Sequence, residues 1–256
     1  MNHPLKKKIT DYLRSRRNEI LKDKVIILAE SERDVSISSD KKLHKSLVKF
    51  LASVSEYPIL SEEDEKPKDI SSYKDYVWIL DPLDGSMNFL RNIPLACISL
   101  GLWHNQKPIA GFIYDFHRDE MFTGFCKKSF LSDKTGAWLN DKPIRVSPVS
   151  DKGRGILCLN FPSLGRYDNK SLSAFVKKIR EWKKIRLLGS AAISLAWVAC
   201  GRFEAYIEEG IRIWDIAAGV AIIKAAGGEY ITYDHKPNNI LTVSATNRII
   251  PCTKLS

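Results

Sequence analysis

No apolar run in the sequence reaches the roughly 18 to 20 residues that a membrane-spanning helix needs. The first residues are charged rather than apolar, so a secretory signal is not expected. The five cysteines are scattered and form no Cys-x-x-Cys pair, which excludes zinc ribbons and thioredoxin-like motifs. Their odd number and apolar surroundings predict reduced core thiols, which are typical of a reducing compartment. Together these absences predict a cytoplasmic protein with no membrane partner.

Two other features that would divide or specialise the chain are missing. The five histidines have no spacing typical of a metal site. No long stretch of proline, glycine and serine separates domains, and 44% of the 256 residues are hydrophobic. A chain of this length and composition can bury a sizeable core. We therefore expect a single domain of two closely packed halves, roughly 1–145 and 146–256.

Acidic residues are the minority, 30 against 40 lysines and arginines, which gives a net charge of +10. The basic excess lies in residues 1–24 and 166–186, each with eight basic residues. Such a field can steer anionic substrates towards an enzyme, and a nucleic acid is the alternative partner. In the second segment, Leu172, Phe175 and Ile179 recur at helical spacing, which indicates an amphipathic helix with a solvated basic face.

The apolar pattern predicts helices and strands that mix without a clean repeat. A polar turn is expected at 36–40, and Gly227 and Gly228 are expected to end the last helix. The predicted helices cover 4–30, 43–54, 171–183, 190–200 and 215–226. The predicted strands cover 76–80, much of 97–123, 155–159, 185–188 and 203–207.

The first candidate site follows the apolar run 76–80 and reads Asp81-Pro82-Leu83-Asp84-Gly85-Ser86-Met87-Asn88-Phe89. Asp81 and Asp84 at a strand end can converge on a hard cation, and Mg²⁺ prefers such oxygen ligands. The Leu83 carbonyl between them is a further oxygen, and Gly85 lets the backbone approach a phosphate closely. Asp-Pro and Asp-Gly are also common turn formers, so this segment alone leaves both interpretations open.

Two further acidic segments are candidates for the same site. Ser61-Glu62-Glu63-Asp64-Glu65 follows an apolar run, so one glutamate can be held inward, although acidic loops are commonly only solvated. Trp214-Asp215-Ile216-Ala217-Ala218-Gly219 opens a predicted helix, where an aspartate is also a typical N-cap. Each segment on its own therefore has a purely structural explanation.

In this order, the three segments together resemble the inositol monophosphatase family. The family pattern is a Glu-Glu pair, then Asp-Pro-(Ile/Leu)-Asp-Gly-Thr-x-Asn-Phe, then Trp-Asp-x-Ala-Ala-Gly. The likeness extends from about Asp34 to Gly228. It implies an α+β fold, a layered α/β/α/β/α sandwich that is commonly a homodimer.

The resemblance also implies roles for individual residues. The implied metal ligands are Glu62, Asp81, Asp84, Asp215 and the Leu83 carbonyl. The implied catalytic residues are Glu62, Asp84 and Ser86. Ser86 stands where the family usually has threonine. Together with Glu62, it would orient and activate the attacking water. The implied substrate-binding residues are Gly85, Ser86, Gly189, Ser190, Ala191, Glu208 and Asp215. Glu208 matches the acid that binds a sugar or inositol hydroxyl, and residues 34–40 resemble a mobile loop near a weaker third metal.

The implied activity is Mg²⁺-dependent hydrolysis of a small phosphomonoester, inositol 1-phosphate first, with two or three ions and sensitivity to lithium. A fructose 1,6-bisphosphatase or dual-specificity sugar phosphatase is the near alternative. Met87 followed by Asn88 argues against nucleotide 3′-phosphatases of the same superfamily. A different class of function, an RNA- or polymerase-associated factor, is motivated by the net charge of +10.

Overall fold

The N-terminal part of the chain forms an outer layer of helices with a small sheet of two antiparallel strands. The computed structural model describes residues 4–30, 35–160 and 169–253. The first helix buries Ile9 and Leu13 and leaves most of its lysines at the surface. These elements are α1 (Pro4–Ser15), α2 (Arg17–Leu21), β1 (Ile27–Glu30), β2 (Val35–Ile37) and α3 (Ser38–Val54).

The larger sheet contains seven strands in sequential order. Adjacent strands of this sheet are antiparallel, except for β3 and β4, which are parallel. The short helix α4 (Ser86–Leu90) connects β4 to β5. The strands are β3 (Ile59–Ser61), β4 (Tyr76–Asp84), β5 (Cys97–His104), β6 (Lys107–Asp115), β7 (Glu120–Phe125), β8 (Gly136–Leu139) and β9 (Lys142–Ile144).

The second sheet has five strands in the order β11-β10-β12-β14-β13. The strand β10 is parallel to both of its neighbours, while β12, β14 and β13 are antiparallel. Its strands are β10 (Ile156–Leu159), β11 (Lys184–Arg186), β12 (Ala205–Arg212), β13 (Glu229–Lys236) and β14 (Ile240–Thr246). The helices of this part are α5 (Asn169–Ile179), α6 (Ala191–Ala199) and α7 (Ile213–Ala225).

Three apolar clusters define five layers. One cluster joins α1 and α3 to the outer face of the larger sheet. The central cluster joins α6 and α7 to the inner faces of both sheets. The third packs α5 on the outer face of the smaller sheet. Because α6 and α7 are apolar all round, they suit this doubly covered middle layer, and the predicted α/β/α/β/α sandwich is confirmed.

Glycines on the larger sheet allow α7 to lie directly against it. A β-carbon at Gly101 would come within 2.9 Å of the Ala217 carbonyl carbon, and one at Gly111 would overlap the Ala218 carbonyl oxygen. This close approach places the start of α7 above the end of β4. No helix among the described residues is both long and apolar enough to cross a bilayer.

The structure corrects several predicted elements. The helix predicted over 4–30 ends at Leu21, and residues 27–30 form a strand whose side chains are all exposed. The polar turn predicted at 36–40 is instead the end of β2 and the first turn of α3. The helix predicted at 171–183 begins at Asn169 and ends at Ile179. The predicted helix end at Gly227 and Gly228 is confirmed, because α7 ends at Ala225. Gly227 has a left-handed backbone with φ of +93°.

Candidate active site

A bulge at the end of β4 brings Asp81 and Asp84 to the same face of the larger sheet. Strict alternation would place residues three apart on opposite faces. In the pairing with β5, however, Asp81 lies opposite Ser99 and Asp84 lies opposite Cys97, so β4 contains one extra residue. The Leu83 N–H then donates to Asp81 Oδ1 at 3.0 Å and stabilises the bulge. Both carboxylates consequently face the central layer, where α6 and α7 begin.

Asp84 is anchored to the first turn of α6. Its carboxylate accepts hydrogen bonds from the Ser190 hydroxyl and from the N–H groups of Ala191 (3.3 Å) and Ala192 (2.9 Å). These N–H groups have no partner within the helix, and the helix dipole favours a negative charge there. The Cys97 thiol adds a weak contact at 3.7 Å. The predicted proximity of Ser190 and Ala191 to the acidic motif is thus seen in the structure.

Glu62 and Asp215 complete the group from two other elements. The parallel register of β3 and β4 places Ser61 beside Leu80, so Glu62 follows next to Asp81 and the two side chains are hydrogen-bonded. Asp215 is the third residue of α7 rather than its N-cap, and its carboxylate accepts the Arg212 N–H at 3.2 Å. Four predicted carboxylates are therefore gathered from three separate segments.

The electrostatics confirm that these carboxylates act on one another. Burial, followed by the charges of Glu62, Asp84 and Asp215, raises the pKa of Asp81 well above its usual value. Burial, followed by Glu62 and Asp84, raises the pKa of Asp215 in the same way. Burial also raises the pKa of Asp84 although its hydrogen bonds oppose this. A cluster of this kind is costly to ionise unless a cation neutralises it.

The types of residue suit Mg²⁺, but their present arrangement is not a closed ligand cage. Carboxylate and carbonyl oxygens are the donors that this ion prefers. Within residues 4–30, 35–160 and 169–253, however, no three acidic, histidine or cysteine side chains are already spaced to hold an ion. The bonds of Asp81 to Leu83 and of Asp84 to α6 account for part of this, because they occupy carboxylate oxygens. Binding an ion would require side chains to turn.

The Ser86 hydroxyl has a partner that the sequence prediction did not give it. It lies 3.0 Å from Asp40 Oδ1 and 2.9 Å from the Leu83 carbonyl oxygen. Asp40 is buried in the first turn of α3, where its other oxygen accepts the Ile37 N–H at 2.9 Å. The prediction assigned this aspartate only to a loop near a third metal, and the first residue of that loop, Asp34, lies outside the described residues. The position of an acid in the first turn of a helix was the one available signal.

Two glycines of the predicted substrate site have left-handed backbones that glycine favours. Gly85 has φ of +91°, and a β-carbon there would come within 2.6 Å of the Leu95 carbonyl oxygen. Gly189 has φ of +68°. The Asn88 side-chain amide donates to the carbonyls of Leu188 (2.8 Å) and Gly189 (3.2 Å), so it ties α4 to the turn before α6. This linking function of Asn88 was missed by the sequence prediction.

Glu208 lies on β12 and faces the central layer beside the carboxylate cluster. The Tyr206 hydroxyl and the Asn160 side-chain amide both donate to Glu208 Oε2, the latter at 2.8 Å. Burial raises the pKa of Glu208 to about 7 although both hydrogen bonds lower it. The negative charge of Glu208 contributes to the raised pKa of Asp215, which places the two acids in the same electrostatic environment. Asn160 was not predicted.

Comparison of the amino-acid sequence with known proteins indicates the same family that the sequence motifs resemble. The inositol monophosphatase family profile matches residues 2–251. The "Nus factor SuhB" of Xylella fastidiosa is 35% identical over 204 residues, which are 79% of this chain and 70% of that protein. An inositol-1-monophosphatase of Synechocystis is 35% identical over 196 residues, 75% of this chain and 65% of that protein.

Solved structures agree with the sequence comparison. The extragenic suppressor protein suhB of Bartonella henselae has a TM-score of 0.74 at 28% identity, covering 94% of this chain and 91% of that chain. The inositol monophosphatase of Anabaena has a TM-score of 0.68 at 33% identity, covering 81% of each chain. The predicted enzyme class, a phosphoric monoester hydrolase, is thereby confirmed at the level of the family. The chain belongs to the inositol monophosphatase family.

Proposed function

We propose that this chain hydrolyses a small phosphomonoester in the presence of Mg²⁺, and that inositol 1-phosphate is the first candidate substrate. The observation that carries the proposal is the cluster of four carboxylates beside the first turn of α6, in which the charges of Glu62 and Asp84 raise the pKa of both Asp81 and Asp215. A structural role alone would not gather so much unneutralised negative charge in the core, because ionising it costs stability.

Glu62, Asp81, Asp84, Asp215 and the Leu83 carbonyl would hold two or three Mg²⁺ ions. When bound, Mg²⁺ supplies charge neutralisation for the phosphoester and lowers the pKa of a water molecule towards neutrality. Sensitivity to lithium is part of the proposal, as is a homodimeric assembly in the cytoplasm.

Ser86 and Glu62 would orient and activate the attacking water. The Asp40 carboxylate fixes the Ser86 hydroxyl by a hydrogen bond of 3.0 Å. A Ser86 hydroxyl that donates to Asp40 keeps lone pairs with which it can accept a hydrogen bond from water. Glu62, which is hydrogen-bonded to Asp81, would accept the proton of that water.

The remaining predicted residues would bind the substrate. Gly85 directly precedes α4, and Asn88 of that helix donates to the carbonyls of Leu188 and Gly189 at the turn before α6. Glu208 would accept a hydrogen bond from a hydroxyl of the alcohol part of the substrate. A sugar bisphosphate also carries such hydroxyls, so a fructose 1,6-bisphosphatase or dual-specificity activity is the alternative within the same chemistry.

A second candidate function is association with RNA or with a transcription complex. It is supported by the net charge of +10 and by the similarity to a relative named as a Nus factor. This function would use the basic outer surfaces and not the carboxylates, so an Asp84→Asn variant should keep it. Affinity for RNA that persists in 0.5 M salt, together with negligible phosphatase turnover, would favour this candidate over the enzyme.

Phosphate release from a panel of substrates tests the proposal. The panel contains inositol 1-phosphate, fructose 1,6-bisphosphate, glycerol 2-phosphate and adenosine 3′,5′-bisphosphate, each with Mg²⁺ and with EDTA. We expect Mg²⁺-dependent turnover that falls at least about 100-fold in Asp84→Asn, because a ligand charge is lost. Asp133→Asn, a matched change at an exposed loop aspartate, should leave turnover unchanged. No release from any substrate would contradict the proposal.

A further inference from the structure

Asn160 lies beside Glu208 because of the register of the smaller sheet. In the parallel pairing of β10 and β12, Cys158 lies opposite Tyr206 and Leu159 lies opposite Ile207. The next pair along the chain is therefore Asn160 and Glu208. Because side chains alternate along a strand, both side chains continue the face of Cys158 and Tyr206, which is the face that covers the central layer.

The hydrogen bonds to Glu208 are arranged asymmetrically. The Asn160 amide and the Tyr206 hydroxyl both donate to Oε2. In the part of the chain that the structure describes, no donor is placed on Oε1. A carboxylate has about four acceptor positions on its two oxygens. The two donors thus fix the orientation of the carboxylate through Oε2, and Oε1 is left without a donor from those described residues.

The same asparagine also contacts the turn before α6. The Gly189 N–H donates to Asn160 Oδ1 at 3.4 Å, at the long end of the hydrogen-bond range. Glu208 accepts a hydrogen bond from the Asn160 amide nitrogen, and Gly189 donates one to the amide oxygen. Together the two bonds determine which way the amide points. The carbonyl of Gly189 is held by Asn88 from the other side at 3.2 Å. Asn160 therefore joins the predicted hydroxyl-binding acid to the turn of predicted substrate-binding residues that begins at Gly189.

We propose that Asn160 is a positioning residue that sets specificity for substrates with a hydroxyl next to the phosphoester. It orients Glu208 so that Oε1 faces the substrate, and it fixes the distance between Glu208 and the Gly189 turn. This inference rests on the proposed function, since it assigns Glu208 to the alcohol part of a phosphomonoester. It predicts that Asn160 discriminates between alcohols and does not take part in breaking the phosphoester bond.

The test compares inositol 1-phosphate with phenyl phosphate, which has no hydroxyl. In Asn160→Asp the side chain keeps its shape and its acceptor for Gly189, but it loses the donor and repels Glu208. We expect KM for inositol 1-phosphate to rise about tenfold, as loss of one hydrogen bond to a charged group implies. Neither kcat nor the KM for phenyl phosphate should change by more than about twofold.

Two further variants make the result specific. Asn160→Ala loses the same donor without adding a charge and should show the same selective rise in KM. Asn169→Asp makes the same chemical change at an exposed position of α5 and should leave KM and kcat unchanged for both substrates. Equal effects on both substrates, or no effect on either, would overturn the role of Asn160 while leaving the phosphatase proposal intact. Absence of turnover in the unchanged chain would instead overturn the proposed function and this inference with it.

Discussion

At the residue scale, the extra residue in β4 is the feature on which the site depends. Asp81 and Asp84 are three residues apart and would point to opposite faces of a regular strand. The extra residue places both side chains on the same face of the sheet. The sequence motif predicted that the two acids converge, but it did not indicate how, because a bulge has no side-chain pattern of its own. The same motif provides Ser86, whose hydroxyl is fixed by Asp40.

Glu208 gives a prediction for the dependence of stability on pH. Its pKa in the folded protein is raised to about 7, from about 4.5 when unfolded. Between these values the folded state binds more protons, so its stability falls as the pH rises from about 4.5 to about 7. At about 1.4 kcal/mol per unit of pKa, the full difference is of the order of 3 kcal/mol.

Chemical unfolding of the metal-free protein and of Glu208→Gln at a series of pH values measures this effect. The difference in unfolding free energy between the two proteins should change between about pH 4.5 and 7 and be constant above that range. Asp81 and Asp84 are present in both proteins and largely cancel in the difference, whereas Asp215, whose pKa the Glu208 charge helps to raise, adds a smaller change of its own. A difference that did not vary with pH would show that Glu208 is not held in the environment described here.

Three contacts of the site could not be found from the sequence because the partners are far apart along the chain. Ser86 meets Asp40 across 46 residues, Asn160 meets Glu208 across 48, and Asn88 meets Leu188 across 100. A local pattern contains no information on such contacts. The acids Glu62, Asp81, Asp84, Asp215 and Glu208 were identified through the resemblance, which carries long-range information that spacing lacks.

At the element scale, the middle layer was the most predictable part of the fold and the sheet edges the least. The runs in α6 and α7 are apolar all round, and their spans were predicted to within a few residues. In contrast, β1 exposes all four side chains and therefore has no alternation to detect. The short strands β8 and β9, at one end of the larger sheet, likewise have side chains that are mostly half-exposed or exposed. Burial on one face is what makes a strand visible in sequence.

The packing of α7 on the larger sheet gives a second prediction about stability. Gly111→Ala would place a methyl group against the Ala218 carbonyl, so the helix must shift. We expect a loss of about 3 kcal/mol or more in the free energy of unfolding, because overpacking is combined with movement of backbone. Displacement of α7 would also move Asp215 and reduce turnover.

Gly227→Ala is the matched control for this change. A β-carbon at Gly227 meets no atom within 4 Å, so the cost is only that of a left-handed backbone. That cost is roughly 1 to 2 kcal/mol. Equal destabilisation by the two variants, measured by urea unfolding, would contradict the proposed contact between α7 and the sheet.

At the scale of the whole molecule, positive and negative charge are separated between layers. Most of the basic excess lies in α1 and α2 and in the region of α5, which belong to the outer layers. The carboxylate cluster lies between the two sheets. The two basic segments are evident in the amino-acid sequence, but their position on opposite outer layers depends on the tertiary fold. This separation makes RNA association and phosphatase activity independently testable in a single Asp84→Asn variant.

The most direct measurement is a calorimetric titration of the metal-free chain with MgCl₂, performed alongside Asp81→Asn and Asp133→Asn. If the carboxylate cluster holds the ions, the unchanged chain and Asp133→Asn should bind Mg²⁺ with equal affinity. Asp81→Asn should bind at least about tenfold more weakly, since one ligand charge is removed. Equal binding by all three proteins, or no binding by the unchanged chain, would show that the cluster is not a magnesium site.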